Sequence, residues 1–377
     1  MPWTEVNRMS LRKEFVMLAQ NDSVDISELC RRFGISRKTG YKWLKRYREG
    51  GEANLKDRSR QPTRCPHQTP STMEKKVVEL RKRKSAWGGR KIRAHLLQKG
   101  HKGVPAASTI TEILRRKKQL DPQESQKHQA CCRFEKETPN ELWQMDFKGD
   151  FPTLEKRCYP LTLLDDCSRF ALGLFSCANQ QRDTVQSCLE RVFQHGGMPH
   201  AMLMDNGPPW GGGETCEYTR ITVWLMRLGI RVYHGRPYHP QTQGKVERFH
   251  RTFKVELVQR ESFVDLAHCQ RRFDQWREEY NYERPHEALD LATPGSRYHP
   301  SSLSYPAHLP PIEYETGALV RKVQHGGRIA FHCREYRVGH AFVGLPVALK
   351  PSAVDGVMEV YFCQHLIKML DLRGEET

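Results

Sequence analysis

The chain has 377 residues, a formal net charge of +17, 38% hydrophobic residues and 28% charged ones. That length accommodates two to four domains with real cores under a heavily charged surface. No stretch approaches the roughly 20 apolar residues of a membrane span, and the opening residues show no secretory leader, so a soluble, cytoplasmic protein without membrane contact is expected. The 12 cysteines are scattered without a Cys-x-x-Cys spacing, which excludes a zinc knuckle and points to reduced thiols.

The charge is unevenly placed. Residues 1–138 hold 33 Lys and Arg against 15 Asp and Glu, whereas the remainder holds 28 against 29. The whole positive excess therefore lies in the first third, which marks that third as a module for a polyanion, with nucleic acid the natural candidate.

Residues 11–48 read as a helix-turn-helix unit. Leu11, Phe15 and Leu18 recur at helical spacing, and Ile26, Leu29, Cys30 and Phe33 share one face of a second helix. Gly34 breaks the pattern, and Ser36 caps a third helix that should turn Tyr41, Leu44 and Tyr47 inward. The opposite face offers Arg37, Lys38, Lys42, Lys45 and Arg46, with Thr39, to double-stranded DNA. The first domain is thus placed at 1–50 and a Gly/Pro/Ser-rich linker at 51–72. A second helix-turn-helix or winged-helix-like unit follows at 73–120, with Arg90 and Lys91 as DNA contacts. The run Arg81–Lys84 reads as a solvated or phosphate-facing helix end. A polar linker occupies 121–138.

From Pro139 the pattern changes. Short apolar runs at 143–147, 159–165, 170–175, 201–204 and 230–233 read as strands. Helical spacing appears near 184–193, 215–228, 244–260 and 265–282. That order predicts an α/β core at 139–300, a mixed five-stranded sheet flanked by helices with a trailing helix against it. Beyond 310, short alternating runs separated by glycines predict a small β-barrel at 310–372.

Three acids stand where phosphodiester cutting would need them. Asp146 lies in the first strand, Asp205 ends the fourth ahead of Asn206-Gly207-Pro208, and Glu247 lies one turn into a helix. Strand ends and helix starts converge on one edge of such a sheet, so residues far apart in sequence can meet there. Two Asp and one Glu suit hard divalent ions such as Mg²⁺, with two ions able to serve the attacking and leaving oxygens. On the last helix Val246, Phe249, His250 and Phe253 fall at core spacing. Glu247, Arg251 and Lys254 share another face, and Lys245 and Arg248 flank it; all four cations are candidate phosphate contacts.

The windows Trp143–Phe147, Met204–Pro208 and Tyr238–Arg251, together with Asp165–Arg169 and Tyr280–His286, resemble the integrase-core DDE transposases of bacterial insertion sequences, relatives of retroviral integrases. The resemblance implies an RNase H-like core with Asp146, Asp205 and Glu247 as metal ligands for two Mg²⁺ ions, with Mn²⁺ able to substitute. It also implies cleavage of DNA ends, joining of 3′-hydroxyls to target DNA, and a homodimer or higher oligomer assembled on DNA. The 41 residues between Asp205 and Glu247 are more than in the best-known members, with the extra length expected at Gly211-Gly212-Gly213 and after. A DNA-binding regulator and an RNase H-type nuclease without strand transfer are the alternative readings.

Overall fold

The computed structural model describes residues 8–21, 23–57, 68–120, 135–211, 218–235 and 244–373. They divide into two compact units, Met1–Gln68 and Thr69–Thr377. Residues 58–67 of the first expected linker, 121–134 of the second, the glycines after Gly211 and the segment Tyr238–Gln243 lie outside the described residues, whereas Gly51–Leu55, expected as linker, forms a 3-10 turn with Leu55 buried.

The first unit contains α1 (Arg8–Leu18), α2 (Ile26–Arg32) and α3 (Arg37–Gly50). Asp25 and Ser36 cap the second and third helices, accepting from Ser27 N and Thr39 N, which satisfies orphan donors at each N-terminus. Gly34 adopts φ +65° in the turn between them, a conformation glycine takes without penalty. The inward face of α3 differs from the expected one. Gly40, Trp43 and Leu44 are buried and Tyr47 half-buried, while Tyr41 is 58% exposed. A Cβ on Gly40 would come within 2.5 Å of Cys30 Sγ. The helix therefore approaches α2 on its glycine, and Tyr41, about 100° further round, turns outward. On α1, Phe15 and Val16 are buried, whereas Leu11 and Leu18 are largely exposed.

The second unit opens with α4 (Ser71–Arg83), α5 (Gly89–Gln98) and α6 (Ala107–Arg116). Val77, Leu80, Trp87, Ile92, Ile110, Ile113 and Leu114 form their common core. Next come β1 (Trp143–Phe147), the two-residue β2 (Phe151–Pro152), β3 (Arg157–Asp165), β4 (Ala171–Cys177), α7 (Arg182–Gly196), β5 (Ala201–Met204), α8 (Arg220–Arg227), β6 (Arg231–His234), α9 (Gly244–Phe253) and α10 (Leu266–Tyr282). The main sheet runs β4-β3-β1-β5-β6, with β2 also against β3. Its first three strands are antiparallel, and β1, β5 and β6 are parallel. The sheet is mixed as expected, with six strands in place of five because the two-residue β2 also pairs with β3. One face buries Trp143, Met145 and Leu161 against α7 and α8; the other packs Leu164, Ala171 and Leu174 against α9 and α10. The sheet is thus buried on both sides, which explains its nearly continuous apolar strands.

The C-terminal strands β7 (Leu319–Lys322), β8 (Arg328–Phe331), β9 (Arg334–Arg337), β10 (Pro346–Pro351), β11 (Val357–Phe362) and β12 (His365–Asp371) form an open sheet β12-β11-β10-β7 and a separate hairpin β8-β9. The closed barrel expected here is not formed among the described residues. The terminal strands β7 and β12 each pair on one side alone, and the apolar face is covered by Val223 and Met226 of α8 and by Phe342. No helix among the described residues is long and apolar enough to cross a membrane.

Candidate active site

Parallel pairing of β1 with β5 sets Trp143 beside Met202 and Gln144 beside Leu203. Asp146 lies in β1 and Asp205 directly follows β5, so the parallel register sets both toward the same end of the sheet, where the Asp205 charge acts on the Asp146 carboxyl. Asp205 is exposed at the start of a tight loop. Its Oδ1 accepts from Gly207 N at 3.1 Å and from the indole Nε1 of Trp210. Trp210 is 1% exposed and stacks on Phe147, centroids 5.3 Å apart, directly after Asp146. The loop closes because residue 211 is glycine, where a Cβ would fall 2.2 Å from Asn206 O.

Glu247 lies exposed in the first turn of α9. Val246, Phe249, His250 and Phe253 are buried on the opposite side, as their spacing predicts. His250 Nε2 lies 2.8 Å from Thr162 Oγ1, which itself donates to Asp146 O at 2.9 Å. The single hydroxyl proton is thereby used, so Nε2 carries its own proton and Nδ1 faces Asp146 Oδ2 at 3.8 Å. Burial holds the imidazole down to about 3, so His250 is neutral and acts as a packed strut.

The carboxyl of Asp146 is raised to about 7, by burial first and then by the charge of Asp205; the hydrogen bond from Phe147 N opposes the shift, Glu247 adds less to it, and Lys148 opposes it least. Three acids thus crowd one sheet edge with too little positive charge among them, which is the condition a divalent cation relieves. All-oxygen donors suit Mg²⁺ better than softer metals, so the donor set fits. Among the described residues no group of three or more His, Cys, Asp or Glu is already gathered tightly enough to hold an ion.

The sequence missed how the helix of Glu247 is anchored. Asp166, fully buried, accepts from Lys136 N at 2.8 Å and Gln144 Nε2 at 2.7 Å, and pairs with Lys245 Nζ at 2.5 Å. Lys245, expected as a phosphate contact, instead ties the first turn of α9 to the β3–β4 turn. In that turn Asp165 Oδ1 accepts from Ser168 N and Oγ, and Asp165 Oδ2 from Asn140 N. The Asn281 amide brackets the backbone of Ala171 through both its atoms. Arg248, Arg251 and Lys254 are exposed. Arg90 pairs with Glu287 at 3.4 Å, and Lys91, mostly buried beside Arg284, is lowered to about 8 mainly by desolvation. The end of α4 is also engaged, with Lys84 on Glu279 and the carbonyls of Lys82 and Arg83 accepting from Arg260. In the first unit Arg37, Lys38, Lys42 and Lys45 are exposed, while Arg46 lies 4.9 Å from the Trp43 ring centroid.

Family models of the integrase core domain match residues 136–240 and 228–294. The chain carries an integrase core. A helix-turn-helix model matches 11–63, a homeodomain-like model 39–114, and the C-terminal domain of IS481 family transposases 318–377. The chain is similar to an uncharacterized 31.7 kDa protein of insertion element IS407 from Burkholderia multivorans, at 28% identity over 158 residues, 41% of this chain and 54% of the relative. It thus spans about half the length of that relative. It is also similar to a candidate transposase for insertion sequence element IS5376 from Geobacillus stearothermophilus, at 24% identity over 98% of this chain and 87% of the relative. Among solved structures, the HTLV-2 integrase catalytic core domain in complex with magnesium covers 43% of this chain and 99% of its own, with TM-score 0.33 and 14% identity. The integrase-core matches include Asp146, Asp205 and Glu247.

Proposed function

We propose that this chain is an insertion-sequence transposase that cuts the ends of its element and joins them to target DNA. The observation that supports the reading is the Asp146 carboxyl, raised to about 7 first by burial and then by the charge of Asp205, with Glu247 adding less. Asp146, Asp205 and Glu247 would hold Mg²⁺, with Mn²⁺ an acceptable substitute. Two such ions, when bound, supply charge neutralisation for the attacking and leaving oxygens of a phosphodiester.

The chain's own groups do the positioning. Trp210 and Gly207 bond to Oδ1 of Asp205, and among the described residues no hydrogen bond is made to Oδ2, which would take a ligand. Thr162 and His250 hold the strand of Asp146 against α9. Arg248, Arg251 and Lys254 extend from α9 beside Glu247, where they would hold phosphates of the strand being cut. Water and a 3′-hydroxyl are equivalent nucleophiles for this arrangement, so one site serves cutting and then joining. Sequence choice belongs to α3, whose Arg37, Lys38, Lys42, Lys45 and Arg46 are suited to the terminal repeats in a major groove. Arg90, Lys91 and Lys245, already engaged within the chain, would serve DNA at most through the local field. Two element ends require two sites, hence a dimer or larger assembly on DNA.

The test is incubation of the protein with its element's end sequence and Mg²⁺. Wild type should nick at the terminal 3′ ends and Glu247→Gln should not; nicking that survives the substitution would sink the assignment. In parallel, Lys42→Ala with Arg46→Ala should weaken end binding in a footprint.

A further inference from the structure

The helix of Glu247 does not stop at Phe253. Lys254–Val258 continue it as a π-helical turn, an arrangement that costs stability and persists where side chains require it. In that turn Glu256 points inward, its side chain 4% exposed. Its Oε1 accepts from Trp87 Nε1 at 3.1 Å and from Arg284 Nε at 3.3 Å, and its Oε2 accepts from Trp276 Nε1 at 3.3 Å. The donors come from three separate elements: the turn between α4 and α5, the middle of α10, and the segment after α10.

We propose that Glu256 is a positioning residue for Glu247, and that residues 69–120 are through Trp87 a working part of the catalytic apparatus. The proposal rests on the reading of Glu247 as a site residue. The two glutamates are nine positions apart, about 13 Å along a helix, so Glu256 touches no reacting atom. Its role follows from rigidity. A buried carboxylate held by donors on three elements cannot slide or rotate without leaving a charge unpaired. The helix bearing it is therefore fixed in axial position and in rotation, and rotation decides whether Glu247 faces Asp146 and Asp205. At the other end of α9, Lys245 on Asp166 supplies the second anchor. With both ends pinned, a shift of the α4–α6 helices changes the direction in which Glu247 points. Trp87 is well suited to transmit this. It is 1% exposed, packs edge-to-face on His95 at 5.2 Å, and uses its one polar atom on Glu256.

The test uses the full chain with Trp87→Phe, which keeps the ring and removes the N–H, and Glu256→Gln as an independent second variant. Hydrogen exchange across residues 244–258 in metal-free protein should accelerate about tenfold in each. End cleavage should lose about tenfold in kcat with KM for the DNA end unchanged, and the double variant should be no slower than the slower single one. Unchanged exchange in 244–258 overturns the proposal, as does wild-type kcat in Trp87→Phe on a substrate that Glu247→Gln fails to cut. Full cleavage by Glu247→Gln instead overturns the assignment of Glu247, and this proposal with it.

Discussion

Removing the charge of Asp146 should stabilise the metal-free protein, and only at high pH. Its carboxyl is raised from 3.8 to about 7 in the folded state, so the native chain holds a proton that the unfolded chain has released. Below about pH 4 both states are protonated and the group contributes nothing. Between about 4 and 7 stability falls as pH rises, and above 7 the full cost is present. The interval of roughly three pK units, at about 1.4 kcal/mol each, sets a ceiling of about 4 kcal/mol. The Asp146 side chain is 21% exposed, and water and counterions reduce the cost to about 2 kcal/mol. Asp146→Asn should therefore raise stability by about 2 kcal/mol at pH 8 and leave it nearly unchanged at about pH 3, measured by urea unfolding in the presence of chelator. Mg²⁺ added at pH 8 should stabilise wild type more than the variant. A gain of the same size at both pH values, or a loss at pH 8, would refute the electrostatic account of the site.

Three further outcomes follow from individual contacts. Trp210→Phe keeps the stack on Phe147 but removes the indole donor to Asp205; Mg²⁺ affinity measured by calorimetry should fall about tenfold or more, and equal affinity would show that the indole does not orient the carboxylate. Lys245→Met leaves the fully buried Asp166 without its cation, a loss of about 3 kcal/mol that a double variant with Asp166→Asn should largely recover. Lys42→Ala should lower the slope of log affinity for the element end against log salt by about one. Lys99→Ala, which breaks a pair with Glu283, should leave that slope unchanged.

What was legible in the sequence were features that repeat locally or carry their own turn chemistry. The cap at Ser36, the core face Val246-Phe249-His250-Phe253 and the strand-end position of Asp205 all follow from a few neighbouring residues. The outward turn of Tyr41 was hidden because periodicity weighs large side chains, whereas the close approach of α3 to α2 is made by Gly40, which has none. The donors to Asp205 and Glu256 were hidden for a different reason. A tryptophan scores as core at any buried position, and only the tertiary structure shows where its single N–H points. The Asp166–Lys245 pair spans 79 residues, a separation at which charge patterning along the chain carries no signal. Barrel closure was over-read for a related reason. Alternating runs specify strands, but whether the terminal strands meet depends on what else covers the apolar face, and here α8 covers part of it.

The lopsided charge acquires a second meaning from the same contacts. Lys84, Lys99 and Arg90 of the α4–α6 unit pair with Glu279, Glu283 and Glu287, acids spaced four apart along the end of α10 and just beyond it. Part of the positive excess in the first third is thus matched within the chain by the core. Exposed pairs of this kind add little stability singly. Their value lies in register, because three pairs made from the end of α10 and from the segment after it together admit one docking position. That position is the one in which Trp87 reaches Glu256. Other cations of the α4–α6 unit, Lys75, Arg93, Lys102, Lys117 and Lys118 among them, stay exposed, as do Arg37, Lys38 and Lys42 of α3. The sequence treats the basic third as one DNA-binding arm, whereas the structure commits part of it, through Lys84, Lys99 and Arg90, to holding the core against α4–α6.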